Sequence, residues 1–319
     1  MSTPEPIGVS DLGSPPEPEL PGMPPETPIL TFNDREAFAR YCDPVERTGL
    51  FPWWPAAARS ITRRAADNAL PIVCYPDGRT MLPRFTREER QALEAGQEPD
   101  WRESTTCPSC GLCARQRFVI HTLDTLLDVT NRGSHIYLTE SGSPLELAMS
   151  RRYPRVVHSE YVDGMPRGTL VKLRGHVTRN EDLTRLSFPS HTFDVIASFD
   201  VLEHIPDYRA ALADMTRCVN AKGALLLSAP FNLNEHEHVV RARLRHDGSV
   251  EHLLEPEYHG DPNSSEGVLC FYHFGWRLLD ELRELGFRDV SLVVGQSERF
   301  GYFGWGNIMV LARDLRVAD

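Results

Sequence analysis

One stretch constrains this chain more than any other, Phe193 to Phe231, which reads FDVIASFDVLEHIPDYRAALADMTRCVNAKGALLLSAPF. Phe193 to Phe199 is a short apolar run with β-branched and aromatic members, the pattern of a strand buried on both faces. Asp200, Glu203 and His204 follow at its carboxyl end. Pro206 and Asp207 then open a helix whose apolar positions Leu212, Met215 and Val219 recur at helical spacing. Gly223 is the expected stop, and Ala224 to Leu227 begins a second apolar strand. The stretch predicts a βαβ crossover, with polar groups at the strand end where open α/β sheets bind ligands.

The rest of the chain extends that rhythm. Strands are expected at Ile136 to Thr139, Val156 to Glu160, Val290 to Val294 and Ile308 to Leu311. Helices are expected at Ala114 to Val129, Leu145 to Arg152 and Trp276 to Leu285, the last stopped by Gly286. Strands alternating with helices predict an α/β fold with a parallel sheet and right-handed crossovers. Residues 232–275 form a long connection between the fifth strand and the next helix, and connections of that length tend to be functional. Within it, Val239 to Leu254 reads as a hairpin turning at Asp247-Gly248. We read this segment as a substrate cap on a catalytic domain spanning 115–319. Residues 1–28, rich in Pro, Glu, Ser and Gly, cannot offset their ordering entropy by burial and are expected to be disordered. Residues 29–114 form an N-terminal unit with a helix near Asp34 to Tyr41, an aromatic cluster at Phe51, Trp53 and Trp54, and cysteine-bearing segments.

Composition narrows the function. A formal charge of −11 argues against sequence-independent nucleic-acid binding, which draws on basic surface. No apolar run is long enough to cross a bilayer, and no basic-then-apolar leader opens the chain. A cytoplasmic protein with no membrane partner is the expectation. Seven cysteines in 319 residues, unevenly spaced, do not form a secreted disulfide scaffold. The oligomeric state is left open.

The words FDVIxxFDVLEHIPD, then a helix and GALLLSAPF, resemble the middle of class I S-adenosylmethionine (SAM)-dependent methyltransferases. The resemblance covers residues 107–312. It implies a Rossmann-like, seven-stranded sheet with helices on both faces, whose last two strands form an antiparallel hairpin, and it implies SAM as cofactor. In that family an acidic residue and a Gly-x-Gly turn follow the first strand. Here Glu140 and Gly142 match, and Pro144 stands where the second glycine is expected. By resemblance Glu160, with Tyr161 beside it, meets the ribose hydroxyls through charge-assisted hydrogen bonds. Asp182 and Leu183 match the segment that meets the adenine amino group and packs its ring. Asp200, Val201 and His204 line the pocket.

Methyl transfer from a sulfonium is an in-line displacement, so the protein mainly holds two reactants in line, worth roughly 7–11 kcal/mol. A proton must also leave when the nucleophile carries one. His204 is the first candidate base, since histidine titrates near neutrality; it can equally line the cofactor pocket. Further candidates lie in the cap, at His236, His238, His259 and Tyr258. The run Asn234 to His238 reads either as metal donors or as a substrate-recognition loop. Arg241, Arg243 and Arg245 read as a solvated face or as a surface for an anionic substrate.

Cys107-Pro108-Ser109-Cys110 is a knuckle of the zinc-ribbon type, followed by Cys113 and by Arg115-Gln116-Arg117. In the bacterial methyltransferases it resembles, such a stretch pairs with an upstream CxxC, implying one structural zinc. Upstream this chain has Cys74 and Asp77 only, leaving the fourth ligand open between Asp77 and Cys113. The alternative is a set of thiols packed as small apolar side chains. The expected function is methyl transfer from SAM to an oxygen or nitrogen of a small-molecule acceptor, in natural-product biosynthesis. The rivals are a SAM-binding scaffold with a decayed site and an NAD-dependent oxidoreductase, for which the GxGxxG turn is missing.

Overall fold

The computed structural model describes residues 29–48, 53–173, 175–261 and 264–316. The expected tail at 1–28 and Phe51 of the aromatic cluster lie outside the described residues. Nine strands form the main sheet: β1 (Ile29–Phe32), β2 (Ile136–Leu138), β3 (Val156–Glu160), β4 (Leu170–Leu173), β5 (His176–Asn180), β6 (Phe193–Phe199), β7 (Val219–Ser228), β8 (Phe287–Gly295) and β9 (Ile308–Leu315). Their order is β1-β8-β9-β7-β6-β2-β3-β5-β4. The pairs β6–β7, β2–β6, β2–β3 and β3–β5 are parallel, while β9 runs antiparallel to both β7 and β8. This is the expected Rossmann-like α/β arrangement with its terminal hairpin, enlarged from seven strands to nine. β4 folds back antiparallel on β5 at one edge, and β1 pairs antiparallel with β8 at the other. Neither edge strand is legible as apolar alternation, because ILTF and LVKL are four residues long and break the period of two.

The central crossover differs from expectation at one joint. The helix runs Tyr208–Cys218, capped by Asp207, whose carboxylate accepts from the Ala210 amide at 3.0 Å. It ends five residues before Gly223, and β7 starts at once with Val219. Gly223 therefore lies inside a strand. A Cβ there would come 2.7 Å from the Asp194 carbonyl, at the point where the β6–β7 register shifts. The glycine serves a close backbone approach rather than a helix stop.

Alternation along β6 divides the core between two faces. Phe193 and Ile196 join Leu212, Met215, Leu279 and Leu282 from the helices Tyr208–Cys218 and Arg277–Glu284. Val195, Ala197 and Phe199 join Phe118 and Leu123 of the helix Ala114–Leu126 and Leu145 and Met149 of the helix Pro144–Arg152. A third cluster, including Ile61, Leu70, Leu93 and Trp101, closes on Phe303 and so anchors the N-terminal segments to the β8–β9 connection. Arg117, wholly buried, donates to the carbonyls of Thr105, Leu112 and Phe300. Among the described residues no helix is long and apolar enough to cross a membrane.

The segment 232–275 is built of short ladders. The expected hairpin is present as Ala242–Leu244 against Val250–His252. Val239–Val240 pairs with Tyr272–His273, and Tyr258–Asp261 pairs with Ser264–Leu269. The segment is pinned to the loop after β6. The Phe271 amide donates to the Glu203 carbonyl at 2.8 Å, and the Tyr272 hydroxyl to the Pro206 carbonyl at 2.7 Å.

Candidate active site

The strand ends of β2, β3 and β6 bring acidic groups together. Glu140 follows β2 by one residue, and its Oε1 is buried with no hydrogen-bond partner among the described residues. Burial pushes its carboxyl up to about 7, Arg115 opposing and the charges of Asp200 and Glu160 reinforcing the rise. Glu140, Glu160, Asp200 and Arg115 thus act on one another across one small region. Gly142 sits at φ +73°, and a Cβ there would lie 2.4 Å from His176 Cε1, so the turn accepts only glycine. The departure at Pro144 has a local reason. Ser143 caps the next helix, accepting from the Glu146 amide at 3.0 Å, and Pro144 fills the first helical position, where no amide donor is needed.

Asp200 adopts a left-handed backbone, φ 54°. Arg102 Nη2 lies 2.6 Å from both its carboxylate oxygens, Arg115 Nη1 3.3 Å from one, and the Ser228 hydroxyl donates at 3.0 Å. Burial works against the charge, yet the two guanidiniums hold the Asp200 carboxyl below its usual range. Glu103 bridges the same two arginines. Sequence reading missed Arg102, which nothing in its spacing connects to Asp200.

The other expected cofactor residues fall at the same end of the sheet. Glu160 closes β3 opposite Asn180 of β5. Tyr161 is 60% exposed, its hydroxyl donating to Asp163 at 3.2 Å. Asp182 accepts from the Thr184 amide and hydroxyl at 2.9 and 2.7 Å and caps a single turn, Leu183–Arg185, in which Leu183 is buried. Val201 packs on the core.

Just beyond Asp200, the turn Leu202–His204 places a second carboxylate. Glu203 is 0% exposed, and neither of its carboxylate oxygens has a hydrogen-bond partner among the described residues. His204 Nε2 lies 3.7 Å and His259 Nδ1 3.5 Å from Glu203 Oε1. The two rings meet edge to face, centroids 4.9 Å apart. His204 Nδ1 faces the Leu269 carbonyl at 2.8 Å. His259 Nε2 and His273 Nε2 approach one oxygen of Glu257 at 2.9 and 3.0 Å, and Arg241 reaches its other oxygen at 3.1 Å. Burial opposes the charge of Glu257, but these donors hold its carboxyl low. Glu203, with Glu257, pushes His259 up to about 9 against burial.

Of the five candidate bases, the structure brings together His204 and His259. His236 is exposed and paired with Glu237 and Asp280. His238 has both ring nitrogens engaged, Nδ1 accepting from the Gly275 amide at 3.1 Å and Nε2 donating to Glu281 at 3.2 Å. Both stand against the helix Arg277–Glu284. Tyr258 is 56% exposed.

Cys74, Asp77, Cys107 and Cys110 converge, their ligand atoms all within 4.8 Å of one another. Cys74 and Cys110 sulfurs are 3.6 Å apart, and Cys107 Sγ lies 3.4 Å from Asp77. The hydrogen bond from Cys74 lowers the Cys110 thiol to about 6. Cys113 stands outside this group. It occupies the N-cap of the helix Ala114–Leu126 and turns its sulfur toward Glu103, 3.8 Å away.

A family model described as a methyltransferase domain matches residues 109–292, more than half of the chain. The chain belongs to this family and is a SAM-dependent methyltransferase. Similar solved structures include a SAM-dependent methyltransferase from Mesorhizobium loti (16% identity, 57% of this chain and 91% of that one, TM-score 0.34). Another is the 1,6-didemethyltoxoflavin-N1-methyltransferase of Burkholderia thailandensis (16% identity, 64% and 79% covered, TM-score 0.36). The YcgJ protein of Bacillus subtilis is 19% identical; the match spans 35% of this chain and 51% of that one, TM-score 0.28. No curated protein matches the chain.

Proposed function

We propose that this enzyme methylates an oxygen or nitrogen of a small-molecule acceptor held between the strand ends and the segment 232–275. The observation that carries the reading is the pinning of that segment to the Glu203-His204 turn through Phe271, Leu269 and Tyr272. A cap bonded to the loop after β6 would close over a small acceptor. The orphaned, buried Glu140 oxygen and the acidic cluster with Arg115 fit a zwitterionic, cationic cofactor. SAM supplies an activated sulfonium methyl when bound. In this reading Glu160 accepts from the ribose hydroxyls, Asp182 from the adenine amino group, and Leu183 packs the ring. Glu140, Gly142, Asp200 and Val201 border the methionine half. His204, its Nδ1 proton committed to Leu269, turns Nε2 inward as the proton-accepting atom, whereas His259, drawn toward its charged form, is a donor.

We also assign a structural zinc to Cys74, Asp77, Cys107 and Cys110. Two sulfurs on tetrahedral zinc at about 2.3 Å each lie about 3.8 Å apart, and the Cys74–Cys110 distance of 3.6 Å fits. The test of function is calorimetric titration with SAM, followed by a screen of hydroxyl and amine acceptors for release of S-adenosylhomocysteine. Micromolar binding with turnover on a small acceptor is expected. Turnover only on a macromolecule would overturn the small-molecule reading.

A further inference from the structure

The Glu203, His204 and His259 side chains form a cluster that hydrogen bonding leaves unexplained. We propose that they bind one divalent first-row transition cation, at the junction of the cap and the loop after β6. A buried carboxylate ordinarily has donors, and a charge taken from water without them costs several kcal/mol. Glu203 has none among the described residues, though it is 0% exposed.

The neighbours fix which atoms face it. A carbonyl oxygen can only accept, so His204 Nδ1 carries the proton given to Leu269. The Glu257 carboxylate likewise takes the His259 Nε2 proton. In their neutral forms the imidazoles therefore turn bare lone pairs, His204 Nε2 and His259 Nδ1, toward a carboxylate oxygen. Binding a cation would displace the proton that His259 Nδ1 otherwise turns toward Glu203. The separations of 3.5 and 3.7 Å are long for hydrogen bonds. They match the edges of a coordination polyhedron: bonds of about 2.1 Å at tetrahedral angles set ligand atoms about 3.4 Å apart. All three ligand atoms lie within 4.8 Å of one another. Ligating histidines usually give their other N–H to a carbonyl or carboxylate, as both do here through Leu269 and Glu257.

Two imidazoles and a carboxylate suit borderline cations such as Zn2+, Co2+ or Mn2+ and leave a coordination position open. A cation would take over the His204 lone pair and acidify an acceptor O–H or N–H in the open position, whose proton would pass to solvent water. The site rests on the side-chain geometry alone and stands whichever acceptor is methylated.

Cobalt(II) titration of the full chain tests it, because thiolate charge-transfer bands mark any cobalt at the cysteine cluster. A second equivalent without those bands is expected. His259→Ala, on a half-exposed hairpin position, should weaken it at least ~10-fold while leaving the thiolate-marked equivalent in place. Mn2+, which soft thiolates bind poorly, should report the same site by electron paramagnetic resonance and lose it in Glu203→Gln. Cobalt uptake confined to the thiolate-marked equivalent would overturn the proposal. So would a second equivalent that both variants leave unchanged.

Discussion

Two carboxylates three residues apart, Asp200 and Glu203, leave the same strand end and meet opposite fates. Asp200 is answered by two guanidiniums and a hydroxyl, delivered by the N-terminal segment, the helix Ala114–Leu126 and β7. Glu203 is buried more deeply and answered only at long range, by imidazoles at 3.5 and 3.7 Å. The difference separates a carboxylate used to assemble the protein from one held ready for something else. Asp200 docks the cysteine-bearing segment onto the methyltransferase sheet. Glu203, facing two imidazole lone pairs, is arranged as a ligand.

The largest expected effect strikes the answered side at its base. Cys107→Ser should abolish zinc binding, read by elemental analysis as a fall from about one equivalent to none, and should unfold the segment that carries Arg102 and Arg115. Structural zinc supplies about 10–16 kcal/mol of apparent binding free energy in zinc-finger peptides. Wild-type protein that contains no zinc would remove that brace from the comparison. Arg102→Ala comes next, because it leaves Asp200 with only Arg115 and Ser228. A loss of about 1.5–3 kcal/mol in denaturant unfolding is expected, the range for hydrogen bonds to a charged group. A loss under about 0.5 kcal/mol would show that Arg115 alone suffices.

The pH dependence of stability sharpens the contrast at Glu140. Its carboxyl is raised from 4.5 to about 7 in the fold, so the folded state binds the extra proton between those values. The contribution is fully present below pH 4.5, is lost as pH rises toward 7, and is level above. At 1.36 kcal/mol per unit it amounts to roughly 3 kcal/mol. Glu140→Gln should flatten that part of the curve, and an unchanged slope would mean another group is responsible. Glu160→Ala should raise the SAM dissociation constant ~10- to 100-fold, by loss of hydrogen bonds to a charged acceptor. Unchanged affinity in a folded variant would withdraw the ribose assignment. The smallest effect belongs to Glu203→Gln. With only the long 3.5 Å approach of His259 to lose, it should stay within ~1 kcal/mol of wild type in metal-free buffer, against ~1–3 for a carboxylate with close donors. A large loss would close the gap between the two carboxylates.

The fold was legible where burial is two-sided. The strand Phe193 to Phe199 and the turn after it could be read directly, because a parallel strand must be apolar throughout. β1 and β4 could not, since their four residues, ILTF and LVKL, do not alternate apolar with polar. The end of the helix Tyr208–Cys218 was misplaced because a glycine signals either a stop or a close approach, and only the Asp194 carbonyl decides between them. In the site, residues next to strand ends were readable from position, and the cluster Cys74, Asp77, Cys107 and Cys110 from spacing with one ligand open. Cys113 misled, because a cysteine three residues past the CxxC sits equally well at a helix N-cap position. Arg102 and the pairing of Glu203 with His259 were invisible, for they join segments that only tertiary packing brings together.

The edge strand β1 also orders events in time. During synthesis Ile29–Phe32 emerges early, but its partners are Leu292 to Gly295, made about 260 residues later, and such non-local pairings form slowly. Until β8 exists, the first strand is an unpaired apolar segment that a growing chain must shelter. The finished sheet therefore cannot be sealed at that edge until β8 has been translated.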